Sequence, residues 1–187
     1  PQYHNAPVPA FGDSAPRLLI VGLAPGRHGA NASGRPFTGD FAGVLLYRTL
    51  FELGLSTQPE STSADDDLEL LGCRITNAVK CLPPQNKPTT LEVKTCNAYL
   101  KEELAQLPDR TVVFALGGIA HAAVLRTLGL KLSGYRFGHG AVHELPGPRR
   151  LVDSYHCSRY NTQTGRLTPA MFAEALARAR DLAGPAE

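Results

Sequence analysis

No apolar run approaches the roughly 20 residues that a membrane-spanning helix requires. The opening stretch, PQYHNAPVPAFGDSAPR, lacks the apolar core of a secretion signal. Both absences point to a cytoplasmic protein with no membrane partner. The chain begins with Pro1 rather than Met, as expected where an N-terminal segment has been removed or left out. Cysteine is scarce: Cys73, Cys81, Cys96 and Cys157 are the four present, and no two form a CxxC pair. That spacing excludes the compact zinc patterns. In a reducing compartment it leaves metal ligation, a cluster or simple burial rather than disulfides. GxGxxG and GxxxxGK[ST] are both missing, which removes the dinucleotide fingerprint and the P-loop. Neither sign of charge dominates, with 19 Lys and Arg against 17 Asp and Glu. A net charge of +2 neither demands nor excludes nucleic acid, for which a local basic patch matters more than the total.

What is present fits one domain over residues 1–187, with residues 1–16 as a Pro- and Ala-rich arm. At 187 residues and 43% hydrophobic, the chain is long and apolar enough to bury a core without staples. RLLIVG (17–22), LGCRITNAV (71–79), TVVFALG (111–117) and LVDSY (151–155) read as buried strands, with one or two short strands within 130–150. Helices are expected from Asp40 to Gly54, from about Leu91 to Leu107, from Gly118 to near Gly129, and from about Pro169 to Leu182. Strands alternate with helices. The expected fold class is therefore α/β, a parallel sheet covered on both faces, with its site at the carboxyl ends of the strands.

Three segments carry chemistry, and each follows a strand. In GLAPGRHGANASGRPFTGD (22–40), the Gly- and Pro-rich turn lets a ligand approach the backbone closely. Phe37 there is either a loop residue tucked into the core or a stacking platform for a planar ring. Asp40 is either an acidic site residue or the cap of the next helix. In TNAVKC (76–81), Asn77 offers both donor and acceptor at a strand's carboxyl end. It reads a base edge or ties down the Pro-rich loop behind it. In YHCSRYNTQTGRLT (155–168), His156 follows the last strand and can stabilise a leaving anion by hydrogen bond or charge. The residues after it form a loop able to touch phosphates and wedge into a base stack, or an ordinary polar surface. Taken together, a stacker, an amide and an imidazole at one sheet edge are what a base pocket requires.

These motifs, together with KCLPPQNKPT and the later Cys96, resemble the uracil-DNA glycosylase superfamily, specifically its family 5 type. The resemblance runs from about Pro7 to Leu182. It implies a three-layer α/β/α sandwich around a four-stranded parallel sheet. It also implies a monofunctional DNA-repair glycosylase that hydrolyses the N-glycosidic bond of uracil in DNA, and often of hypoxanthine or other deaminated bases, leaving an abasic site. Asp40 and His156 match the catalytic positions and Phe37 the base-stacking one. Gly22, Leu23, Ala24, Pro25 and Gly26 form the turn against the base, with Leu23 standing where other families carry a polar, water-activating residue. Asn77 joins them as a base-reading amide, where family 5 usually has a small apolar residue. His28, Arg159, Tyr160, Asn161, Gln163 and Arg166 fall to DNA contact. The family also binds a 4Fe–4S cluster through two N-terminal cysteines and two that match Cys81 and Cys96. The N-terminal pair is missing from this sequence, so a cluster needs an upstream pair, or this member has none. Cys73 and Cys157 match no ligand position and read as buried thiols. DNA carrying deaminated bases is the expected partner and the expected state is a monomer. Two other readings stand beside this one, a hydrolase of free nucleosides and a catalytically weak binder of damaged DNA.

Overall fold

The computed structural model describes residues 3–185. Residues 1, 2, 186 and 187, the outermost parts of the expected arm and domain, lie outside the described residues. Six strands form one sheet: β1 (Phe11–Gly12), β2 (Leu18–Gly22), β3 (Cys73–Asn77), β4 (Val112–Leu116), β5 (Val142–Glu144) and β6 (Arg150–Ser154). They lie in the order β1-β3-β2-β4-β6-β5. The parallel four expected from the sequence are there as β3, β2, β4 and β6. The expected count of four is corrected to six, because a short antiparallel strand is added at each edge. One of them, β1, comes from the stretch read as a structureless arm, where Phe11 pairs with Ile75. Two residues are too few to show an alternating pattern. Their strand character comes from the free edge of β3, which presents unpaired backbone groups.

Strands β2 and β4 are buried at every position, which is why their sequences run apolar without a break. Alternate residues serve two cores. Leu18, Ile20, Ile75 and Phe114 face helices α2 (Phe41–Glu52) and α6 (Pro169–Ala183). Leu19, Val21, Val113 and Leu151 face α3 (Thr90–Gln106) and α4 (Gly118–Thr127). This is the α/β/α sandwich. Local signals fix the long helices. Thr89 caps α3 in a reciprocal box, accepting from Glu92 N at 3.2 Å while Glu92 Oε2 accepts from Thr89 N at 2.6 Å. Thr168 caps α6 just ahead of Pro169. Two short helices, α1 (Ala30–Ser33) and α5 (Arg159–Gln163), form inside segments whose composition reads as loop. Among the described residues no helix is long and apolar enough to cross a membrane.

Candidate active site

β2 ends at Gly22, β3 at Asn77, β4 just before Gly117, and β6 two residues before His156. These carboxyl ends share one edge, so the loops carrying the expected site residues meet there. Gly22 and Asn77 are direct neighbours in the β2–β3 register. Ala78 N and Val79 N then donate to Gly22 O and Leu23 O, both at 2.9 Å, zipping the Gly22–Gly26 turn to the end of β3. Gly22 has no room for a side chain: a Cβ there would collide with both Asn77 Oδ1 and the Phe37 ring. The amide, the ring edge and the bare backbone are thus in mutual contact.

Phe37 is buried and its φ is +59°, a left-handed value uncommon for a side-chain-bearing residue. Strain of that kind persists only where the surroundings over-determine it. Here they do. The Arg35 guanidinium is buried, pairs with Asp66 and donates to Ala64 O at 2.8 Å. Tyr47 Oη donates to Pro36 O at 2.8 Å, and the Thr38 hydroxyl meets Ser61 Oγ at 2.7 Å. The Asp-rich loop over residues 56–68, which supplies Ser61, Ala64 and Asp66, is therefore the anchor of the Phe37 loop. Charge composition hinted at it, but pairing across 31 residues has no local signature.

Asp40 occupies the N-cap position of α2, yet its carboxylate makes no capping bond. It turns back to accept from Ala30 N at 3.2 Å, over Gly29, where a Cβ would collide with the carboxyl group. Burial raises its pKa, with the backbone bonds from Ala30 and Gly26 opposing. The His156 ring lies 6.2 Å from the Phe37 ring, centroid to centroid, at an interplanar angle of 31°. Burial pushes its pKa down to about 4, so the imidazole is neutral at pH 7. Asn77 is buried as well, and its Oδ1 has no hydrogen-bond partner within the described residues.

Two cavities of about 400 Å³ open here. One is bounded by Phe37, Asp40, Ser61 and Arg159, the other by Leu23, Ile119, Phe137, Tyr155, His156 and Arg166. Phe137 and Tyr155 were not singled out from the sequence, since a lone aromatic in a Gly-rich stretch carries no signal of its partners. Helix α5 carries Arg159, Tyr160 and Gln163 outward, and Tyr160 is 70% exposed. Arg159 lies over the Phe41 ring at 4.8 Å and Arg166 over Tyr155 at 4.7 Å. Asn161 turns the other way: its Nδ2 donates to His156 O at 2.8 Å and braces the loop. His28 is exposed and its Nδ1 bonds Tyr3 Oη at 2.7 Å. Cys81 is exposed and Cys96 half-buried. They lie near enough that Cys96 helps raise the Cys81 pKa, after burial. Cys73 and Cys157 are buried in the α2–α6 core, and burial pushes both thiols up to about 12.

A structure titled as that of wild-type Pedobacter heparinus SMUG2 superposes with a TM-score of 0.55 at 15% identity, over 90% of this chain and 76% of that one. That likeness concerns the fold alone. The sequence carries the finer comparison. The chain is 53% identical to the type-5 uracil-DNA glycosylase of Thermus thermophilus over 182 residues, 97% of this chain and 83% of that protein. It is 47% identical to the type-5 uracil-DNA glycosylase of Pyrobaculum aerophilum, over 97% and 79% respectively. The same organism's type-4 uracil-DNA glycosylase is 35% identical over 68% of this chain and 58% of its own length. The family model of the uracil DNA glycosylase superfamily matches residues 9–180, and the chain belongs to that superfamily, on its type-5 branch.

Proposed function

We propose that this protein is a monofunctional uracil-DNA glycosylase, and that the observation carrying its choice of base is the unpartnered Oδ1 of Asn77. A buried acceptor without a donor is costly, and a ligand that supplies the donor removes the cost. Uracil brings an N3–H for Oδ1 and an O4 for the amide N–H, while cytosine offers no donor at N3. The face of the Phe37 ring supplies the flat surface on which a base stacks, and the Gly22 backbone lies close against both that ring's edge and the amide. Flipping the base out costs a few kcal/mol, least at a mismatch. Tyr160 and Arg159, displayed on α5, fill the gap and hold the backbone, with Arg166, Gln163 and His28 on the same DNA face.

Heterolysis of the N-glycosidic bond sends both electrons to the base. A neutral His156 meets the developing charge on O2 as a hydrogen-bond donor, joined by backbone N–H groups of the Gly22–Gly26 turn. Water then forms the bond to C1′. Asp40, whose raised pKa makes it a better proton acceptor than an ordinary carboxylate, takes the proton. Leu23 supplies no polar group to this step. The same pocket admits other deaminated bases to the extent that they present a donor and an acceptor to Asn77. The protein works as a monomer in the cytoplasm.

The test sets uracil-containing DNA beside free deoxyuridine, each followed for release of base. Alkali-labile sites in the DNA alone support the assignment. Hydrolysis of deoxyuridine at a comparable rate makes it a nucleoside hydrolase, and binding without cleavage makes it a binder of damaged DNA.

A 4Fe–4S cluster takes four thiolates. Cys81 and Cys96 fit as two of them; Cys73 and Cys157 are sealed in the core and do not fit. The cysteines within these 187 residues thus fit half a cluster, and no step of the reaction runs through one. A cluster on Cys81 and Cys96 requires two thiolates from sequence beyond these residues. Full-length protein purified without oxygen should then be coloured and contain iron. A colourless, iron-free and fully active enzyme would show that this member works without it.

A further inference from the structure

Three side chains that the reaction does not use meet on three different elements: His121 on α4, His143 on β5 and Asp153 on β6. Asp153 is completely buried. His121 Nδ1 lies 2.7 Å from Asp153 Oδ1, and His143 Nε2 lies 2.8 Å from Asp153 Oδ2. The three donor atoms fall within 4.8 Å of one another, the one such group of three among the described residues.

Three features distinguish this group from an ordinary buried hydrogen-bond network. His121 faces an acceptor at each ring nitrogen, Asp153 Oδ1 at Nδ1 and Tyr135 O at Nε2, 2.9 Å away. A neutral imidazole has one N–H. With that proton committed to Tyr135 O, Nδ1 aims a lone pair at a carboxylate unless a cation or a second proton stands there. Next, outer partners orient the donors: Tyr135 O holds His121, and Gly138 N donates to Asp153 Oδ2 at 3.4 Å. Metal-binding imidazoles and carboxylates are held in this way. Last, β5 is a three-residue edge strand whose Val142 and Glu144 are exposed. His143 is its one inward side chain, so within the strand the side-chain anchor to the sheet is this polar group.

We propose that His121, His143 and Asp153 bind one divalent cation of the zinc class, through His121 Nδ1, His143 Nε2 and a carboxylate oxygen of Asp153. Two imidazoles and a carboxylate suit Zn²⁺, with water as the fourth ligand. On binding, each ring nitrogen exchanges its proton or hydrogen bond for a bond to the metal, and any proton released goes to solvent. Ligands of a tetrahedral ion with bonds of about 2.0–2.2 Å stand about 3.3–3.6 Å apart, so each His–Asp contact widens by somewhat more than half an ångström, roughly 0.6 Å, to admit the metal. The ion ties α4, β5 and β6 together and pins residues 131–144. Phe137 lies in that segment, its ring 5.6 Å from His121 and 6.3 Å from Tyr155, on the wall of the His156 cavity.

The whole chain, stripped with a chelator, is titrated with Zn²⁺ and separately with Co²⁺. One ion per chain is expected, with a rise in Tm on adding Zn²⁺. The Co²⁺ form should show visible ligand-field bands and no thiolate charge-transfer band. That spectrum should be unchanged in Cys81→Ser and lost in His143→Gln. Wild-type protein that retains no ion and shows no Tm shift overturns the proposal and leaves a hydrogen-bonded triad with His121 as imidazolium. A thiolate band that vanishes in Cys81→Ser overturns it too, by placing the ion at Cys81 and Cys96. The wild-type result decides the matter even where His143→Gln fails to fold.

Discussion

Asn77 and Phe37 each carry a local cost, an unpaired buried acceptor in one and a left-handed backbone in the other, and on the proposed function a bound uracil removes the first. An unpaired buried acceptor costs about 1–3 kcal/mol, and Asn77 Oδ1 is one. Asn77→Ala should therefore fold as well as wild type while losing preference for uracil. We expect kcat/KM on uracil DNA to fall about ten- to a hundredfold, with any cleavage of hypoxanthine preserved, since a site built to pair with a base edge loses discrimination with the pairing group. Thermal melts beside kcat/KM on both substrates decide it; uniform loss with an unfolded spectrum would make Asn77 a structural tie instead. Phe37 is held at φ +59° with its ring edge against Gly22 and Asn77. Base–aromatic stacking is worth about 1–3 kcal/mol, so Phe37→Ala should weaken kcat/KM by roughly one to two orders of magnitude. Phe37→Leu keeps most of the buried volume without the ring. If Leu restores activity along with stability, the ring serves the core and not the base.

Between the strands, the loops are positioned by contacts that reach far along the chain. The Phe37 loop hangs on the Arg35–Asp66 pair, both side chains largely buried at 6% and 13% exposure. Removing one partner of such a pair leaves an uncompensated charge and costs about 3 kcal/mol. Asp66→Asn should lower stability by about that much in urea unfolding and raise KM more than it lowers kcat, because the variant disturbs where the ring sits and not the chemistry. A variant with normal KM would detach the Asp-rich loop from the site. The same contrast explains what the sequence made legible. Strands β2 and β4 are buried on both faces, so they read as plain apolar runs, and α3, expected from about Leu91, begins at Thr90 behind the Thr89–Glu92 capping box. The placing of Gly22, Asn77 and His156 at one edge follows from strand ends alone. Strand β1, helix α5 and the Arg35–Asp66 anchor were hidden, because two residues or one turn carry no period and an ion pair 31 residues apart leaves no local mark. Asp40 reads equally as a site residue or as a helix cap because sequence shows position only; its carboxylate makes no capping bond and turns to Ala30 N instead.

Across the molecule, burial of one imidazole couples the active site to global stability. In an unfolded chain His156 titrates near its ordinary 6.5, and in the fold burial pushes it down to about 4. On acidification the unfolded chain thus takes up a proton before the native one does. The stability associated with neutral His156 is complete above pH 6.5 and is lost progressively as pH falls toward 4. At about 1.36 kcal/mol per pKa unit the loss is on the order of 3 kcal/mol. Asp40 works with the opposite sign. Its raised pKa lets the native state bind a proton above the ordinary carboxylate range, which offsets part of the loss at the acid end. Urea unfolding of wild type from pH 7.5 down to 4.5 should show the decline, and His156→Gln, which has no such proton to bind, should show a flatter profile over the same range. Activity follows a different course: as far as His156 is concerned it stays level down to about pH 5, and the acid limb belongs to protonation of Asp40. Parallel stability profiles for the two proteins would mean that His156 keeps its ordinary pKa in the fold; a wild type that instead gains stability relative to His156→Gln as pH falls would mean that the native imidazole carries charge, and the leaving base would then be met by a cation instead of a neutral hydrogen-bond donor.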